Sequence, residues 1–446
     1  MSTTIRPLAI DGEVITPADA AYDEARAVFN GMIDRRPALI ARCASAADAA
    51  IAIAYARERE LPLAVRGGGH NVAGSAVCDG GVVIDFSDLR EVRVDPQRRR
   101  AVAQPGATWY DFDQATQAYG LASTGGLVSS TGVAGFTLGG GIGWLVRKHG
   151  LACDNLMAAD LVTADGDSVR ASDDADADLL WGLRGGGGNF GVVTSFEFQL
   201  HPLTQISGGL VAHPRDRARE VLQFFREQCA SAPDELTLIA ALMTTPEGHP
   251  AIGIAACYAG PEAGAAELLR PLKEFGPPVL DQMGPIPYTV LQTALDPMAP
   301  RGVQNYWKAD FLAELSDEAI DLFVEHANRM TSPLAQIHIH HLGGALRNAP
   351  AGAGSAFAHR DASFVYNLVG MWTDPAENDR QITSVRDAFT ALQPVSRGGA
   401  YINFLGDDGS ERVRAAYGDN YARLSRLKAR LDPDNVLRVN QNITPA

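Results

Sequence analysis

Three glycine-rich stretches in the first two hundred residues restrict what this chain can fold into. They are Arg-Gly-Gly-Gly-His-Asn at 66–71, a run from Thr124 to Gly143, and Arg-Gly-Gly-Gly-Gly-Asn-Phe-Gly at 184–191. Consecutive glycines add no side chains to a core. They let the main chain come close to a ligand and turn several N–H groups toward one anion. Tight turns or close sheet packing would account for any one cluster taken alone. Three of them in one lobe suit a long ligand that carries a pyrophosphate and a flat ring.

One Gly-x-Gly-x-x-Gly spacing occurs, at Gly186, Gly188 and Gly191. The dinucleotide fingerprint of a doubly wound fold needs a strand before this spacing and a helix after it. Gly191 leads instead into Val-Val-Thr-Ser-Phe-Glu-Phe-Gln-Leu, whose alternation reads as a half-buried strand. The doubly wound reading is therefore set aside.

Around the clusters, residues 18–34 read as an amphipathic helix. Residues 36–43, 61–67 and the intervening helix capped by Ser45 read as a β-α-β unit. Residues 81–200 are rich in short strands. From about 204 to 400, long helical stretches separate single strands, which suggests helices on one face of an antiparallel sheet and leaves the other face free to cover a ligand. With 446 residues, more than one core is expected.

Composition narrows the class of partner. The formal net charge is −15 and no block of Lys or Arg interrupts it, so nucleic acid is excluded as a partner. The five cysteines are scattered without a Cys-x-x-Cys pair, which argues against a disulfide framework or a zinc site. No apolar run approaches the roughly 18 residues of a membrane span, and the first two dozen residues lack an apolar signal core. A cytoplasmic location is the expectation.

Taken in order, the segments resemble the berberine bridge enzyme-like branch of the vanillyl-alcohol oxidase / p-cresol methylhydroxylase (PCMH) flavoprotein superfamily. The match runs through residues 66–71, Gly-Val-Ala-Gly-Phe-Thr-Leu-Gly-Gly-Gly-Ile-Gly at 132–143, residues 184–191, Tyr-Ile-Asn-Phe at 401–404, and the Asp-Pro-Asp-Asn to Asn-Gln-Asn-Ile segment at 432–443. The resemblance implies an α+β, two-domain PCMH-type FAD-binding fold. Residues 1–203 plus 400–446 would form the FAD domain, with two α/β subdomains. Residues 204–399 would form an α+β substrate domain.

It further implies FAD attached covalently through His70. Relatives with a second anchor carry a cysteine four positions before the first glycine of the Gly-Val-x-Gly run; Val128 stands there, so a single link is expected. The cofactor contacts implied are Arg66, Gly67, Gly68, Gly69, Asn71 and Ser75 from the first cluster. The second supplies Ser129, Ser130, Thr131, Gly132, Gly135, Gly139 and Gly140. Asn155, Val192 and Asn440 complete the set. Thr131 falls where relatives control oxygen access to the ring.

The chemistry implied is hydride transfer from a substrate carbon, helped by a base. Tyr401 is the first candidate, with Asn403 on the same face of an expected strand. Its phenol needs a neighbouring cation or hydrogen bonds to the phenolate to act as a base at neutral pH, and Lys308, which shares a strand face with Tyr306, is the candidate cation. His338 and His340 share a strand face but lack a third ligand, so no metal is expected and a place in the substrate cavity is the alternative. The stretch after the strand, Gly-Gly-Ala-Leu-Arg-Asn, offers no acidic base. The reading is an FAD-linked oxidase acting on an alcohol, sugar or natural product, with O2 reduced to hydrogen peroxide. A dehydrogenase using another acceptor and a non-catalytic flavin-binding protein are the alternatives.

Overall fold

The computed structural model describes residues 8–348 and 354–446. The first layer is a four-stranded sheet in the spatial order Glu13–Ile15, Leu39–Arg42, Val82–Asp85 and Leu63–Arg66. The last three strands are mutually parallel, as a β-α-β unit requires. Its helix, Ala46–Glu58, starts where the Ser45 hydroxyl accepts the Asp48 N–H at 3.3 Å. Ala49, Ala52, Ile53 and Ala56 form the helix stripe buried on that sheet.

A five-stranded antiparallel sheet comes next, in the order Val92–Asp95, Arg100–Ala103, Val192–Gln199, Leu156–Val162 and Ser168–Ser172. The strand after the third glycine cluster buries Phe196 and Phe198 and leaves Glu197 and Gln199 half-buried, the alternation expected of it.

The third sheet is antiparallel and eight-stranded. Its long strands run in the order Gln205–Pro214, Pro250–Tyr258, Leu236–Thr244, Gln336–His341, Phe364–Trp372 and Gln304–Leu312, the last at the edge. Helices Ala218–Ser231, Asp317–Arg329 and Asn378–Leu392 cover one face and share a core with Leu238, Ile254, Ile339 and Leu368. Residues one position away in each strand point to the opposite face.

The chain then returns to the first half. Ile402, Leu405, Tyr417, Leu424 and Leu427 pack in the same core as Trp109 and Phe196. Fully buried Lys428 donates to Asn189 O at 2.9 Å, Leu437 O at 3.0 Å and Asp432 Oδ2 at 2.5 Å. Asp432 also accepts the N–H groups of Val436 and Leu437. A buried ion pair holds only when its remaining hydrogen-bonding capacity is filled, and here both partners are filled by backbone. The Asp-Pro-Asp-Asn motif is thus the tie between the tail and the third glycine cluster.

Two local expectations differ from the structure. Only Tyr22–Arg26 of the 18–34 stretch is helical. The backbone beyond it pairs elsewhere: Phe29 N–H donates to Gly69 O, Gly302 N–H to Phe29 O, and Gly31 N–H to Val303 O. Residues 402–404 form a 3-10 turn rather than a strand. Among the described residues, no helix is long and apolar enough to cross a membrane.

Candidate active site

The three glycine clusters, the tail and the helix-free face of the large sheet enclose one cavity of about 380 Å³. His70 follows Gly69, whose φ of +66° is a conformation that side chains resist. The half-buried imidazole stacks on Phe29, centroids 4.0 Å apart at 19°. Its Nε2 is 3.1 Å from Ser130 Oγ. Burial, and then the charge of Arg301, depress its pKa to about 3, so the ring is neutral.

The loops press together. A Cβ on Gly68 would lie 2.4 Å from Gly132 N, and one on Gly132 would lie 2.4 Å from Gly68 N. Gly139 has Asn403 Oδ1 at 1.9 Å from its absent Cβ. Gly135 and Gly188 differ from these. Both line the cavity, neither has a positive φ, and a Cβ on either meets nothing within 4 Å. Neither backbone strain nor packing demands glycine there, and the open space beside both has room for a large flat ligand. The residues present therefore fit FAD.

His70, Gly67, Gly68, Gly69, Asn71 and Ser75 line this cavity, as do Thr131, Gly132, Gly135, Gly139, Val192 and Asn440. Val128 and Asn403 line it too. Arg66, Ser129 and Ser130 instead line a neighbouring polar cleft on the other side of Gly67 and Gly68. Arg66 is held by Asp85, with Nε–Oδ1 at 2.9 Å and Nη2–Oδ2 at 2.6 Å. Ser129 is tied through N and Oγ to Asp296. Gly140 packs against Phe357, and Asn155 bonds His149 O, Leu151 O and His201.

The substrate half is the sheet face bearing Ile239, Ala241, Met243, Trp307, Val369 and Met371. Its polar groups are Gln336, His338, His340 and Asn367. His338 Nε2 lies 2.7 Å from Gln336 Oε1 and so carries the ring proton. Burial lowers the pKa of His338 to about 4, and burial with His338 beside it lowers that of His340 to about 3. His340 Nε2 and Asn367 Oδ1 are buried without a partner among the described residues.

Tyr401 is 1% exposed and does not line the cavity. Its hydroxyl accepts the N–H of Gly141 at 3.0 Å, that of Ile142 at 2.9 Å, and Asn403 Nδ2 at 2.9 Å. Burial raises its pKa against these hydrogen bonds. The structure does not bring Lys308 to it. Lys308 is ion-paired with Asp408 on the helix-covered face, where burial and the charges of Arg412 and Arg386 lower its pKa to about 8. Tyr306, on the same face, accepts from Arg386 Nε at 3.0 Å. Trp307, between them, is the residue of that strand that faces the cavity.

Sequence reasoning passed over Gln336, Asn367, Trp307 and Phe29. Gln336 was findable, because it shares strand parity with His338 and His340. Asn367 sits in an unbroken buried strand whose period gives no sign of which face holds a ligand.

A family pattern for an FAD-binding domain matches residues 37–172, and a berberine and berberine-like pattern matches residues 400–444. An FAD-linked oxidoreductase of Dictyostelium discoideum is 33% identical over 92% of this chain and 89% of its own length. The chain belongs to the berberine bridge enzyme-like FAD-linked oxidoreductases. This oxidoreductase is also 32% identical to (R)-6-hydroxynicotine oxidase of Paenarthrobacter nicotinovorans, over 98% of both chains. The crystal structure of 6-hydroxy-D-nicotine oxidase from Arthrobacter nicotinovorans superposes with a TM-score of 0.90 at 28% identity, covering 100% of both. A chitooligosaccharide oxidase shares the fold, with a TM-score of 0.84 at 23% identity over 98% of this chain and 97% of that one. The FAD-linked oxidoreductase therefore has the PCMH-type α+β fold, and FAD is its cofactor.

Proposed function

We propose that this protein is an oxidase that carries FAD on a single covalent bond to His70 and oxidises a small organic molecule. The observation that carries the reading is the state of His70. A neutral imidazole at the cavity wall, with Nε2 engaged by Ser130, leaves Nδ1 as the nucleophile for the flavin's 8α-methyl carbon. Val128, which lines the same wall, has no thiol for a second link. When bound, FAD supplies a two-electron hydride acceptor, with O2 as the terminal acceptor and hydrogen peroxide as the product.

In this reading residues 1–203 with 400–446 form the FAD domain and residues 204–399 the substrate domain. The glycine loops hold the pyrophosphate through backbone N–H groups. Asn403, which lines the cavity and donates to Phe136 O at 2.9 Å, fixes the wall beside the ring. Tyr401 is a positioning residue, because its hydroxyl gathers the N–H groups of Gly141 and Ile142 and does not face the cavity. Thr131 lines the cavity, at the position where the relatives control oxygen access. The large sheet positions the substrate against the ring.

Acid precipitation of the purified protein tests the attachment. The flavin stays with the pellet in the wild type and passes to the supernatant in His70→Ala. Peroxide formation during turnover separates an oxidase from a dehydrogenase.

A further inference from the structure

We infer that the substrate is an apolar amine, bound as its uncharged free base, and neither a sugar nor an ammonium ion. The inference rests on the FAD-linked reading above and concerns the substrate half of the same cavity.

That half is a surface of Ile239, Ala241, Met243, Ala255 and Met371 with four polar side chains on two adjacent strands. Gln336 Oε1 is taken by His338 Nε2. Three side chains, His338 through its other nitrogen, His340 and Asn367, remain for a ligand, which is enough for a few polar atoms and not for the hydroxyls of a disaccharide. A sugar carries a hydroxyl on nearly every carbon, and each one buried here without a partner is costly. No Asp, Glu, Lys or Arg is among the described residues that line the cavity; its titratable groups are His70, His338, His340 and Tyr417. The three histidines are neutral, so an ammonium ion would enter without a counter-charge.

The missing base points the same way. An alcohol must lose its hydroxyl proton as the hydride leaves, and that needs a group of matched proton affinity. Tyr401 is walled off, and the cavity histidines hold protons weakly. A free amine needs no such base. The C–H bond next to nitrogen breaks, and hydrogen leaves with the electron pair to FAD. The nitrogen lone pair becomes the second bond of a C=N iminium. Two electrons leave the amine and reduce the cofactor, and the iminium is hydrolysed in water.

The test uses the FAD-loaded enzyme under anaerobic conditions with four probes: N-methylbenzylamine, its 4-trifluoromethyl analogue, 1-phenylethanol and cellobiose. Binding is read from perturbation of the flavin absorbance, and reduction from its bleaching. Both amines should bind and bleach the flavin. Apparent affinity should improve about tenfold per pH unit below each amine's own pKa, because only the free base enters. The two profiles should be displaced by the difference between those pKa values. The inference is overturned if cellobiose or 1-phenylethanol reduces the flavin and the amines do not, if the two profiles coincide, or if neither amine perturbs the spectrum. A yellow protein that ignores the amines defeats this inference alone, whereas a colourless one defeats the cofactor reading.

Discussion

Replacing Gly135 with alanine should move stability and cofactor affinity in opposite directions. Gly135 lies inside the helix Val133–Leu138 with an ordinary backbone, and a Cβ there meets no protein atom within 4 Å. Glycine in a helix interior costs about 0.5–1 kcal/mol relative to alanine, so the flavin-free variant should gain that much. The added methyl points into the cavity. If the flavin lies against this face, the methyl overpacks it at a cost of about 1–3 kcal/mol. That corresponds to roughly 5- to 150-fold weaker binding. Reversible binding is measurable in a His70→Ala background, where FAD can be dialysed out and titrated back by flavin fluorescence, with urea unfolding of the flavin-free protein in parallel. Gly68→Ala is the contrast. Its Cβ would meet Gly132 N at 2.4 Å and Gly132 Cα at 2.6 Å, both backbone, so folding itself should suffer. Unchanged FAD affinity in Gly135→Ala, or a loss of stability in its flavin-free form, would refute the reasoning.

Three further outcomes are expected. Arg66→Ala removes the two-bond partner of the fully buried Asp85 carboxylate, leaving it the 3.5 Å contact with Arg42 Nε and the bonds from Ser87, and should cost about 3 kcal/mol in urea unfolding. Burial raises the pKa of Asp85, but hydrogen bonding to Arg66 and Ser87 outweighs it, so the folded value lies below the unfolded one. Its stabilisation is therefore full above the unfolded pKa and lost as pH falls through the folded one. Asp85→Asn should be less stable at neutral pH and should flatten the stability curve below about pH 4. Tyr401→Phe leaves the N–H groups of Gly141 and Ile142 without an acceptor and should cost about 1–3 kcal/mol. A base would move the pH profile of kcat; a positioning residue leaves the profile in place, and that is the expected result.

The cofactor half of the cavity was legible in the sequence because glycine is informative there. Any one run, such as 66–69 or 184–188, could serve close packing, but three of them in one lobe point to a ligand before their partners are known. The faces of the large sheet were legible only as parity. Alternation groups Tyr306 with Lys308, and His338 with His340, but both faces of this sheet are covered, one by helices and one by the ligand cavity. The period cannot say which is which. On the helix-covered face Lys308 finds Asp408, a hundred positions away, and that pairing leaves no local trace. Tyr401 misled in a similar way. Its motif is tied to the second glycine cluster through Gly141 and Ile142, so the tyrosine serves the cavity wall without reaching the cavity. The stretch after Arg26 failed as a helix because its backbone is consumed by the loops at Gly69 and Val303, contacts that no local pattern encodes.

The intact mass of the denatured protein tests the central claim most directly. The account predicts a mass above the 47.4 kDa polypeptide by one FAD, with the added mass on the peptide containing His70 and absent from His70→Ala. A bare-chain mass after incubation with FAD, or flavin found on any other residue, would contradict it.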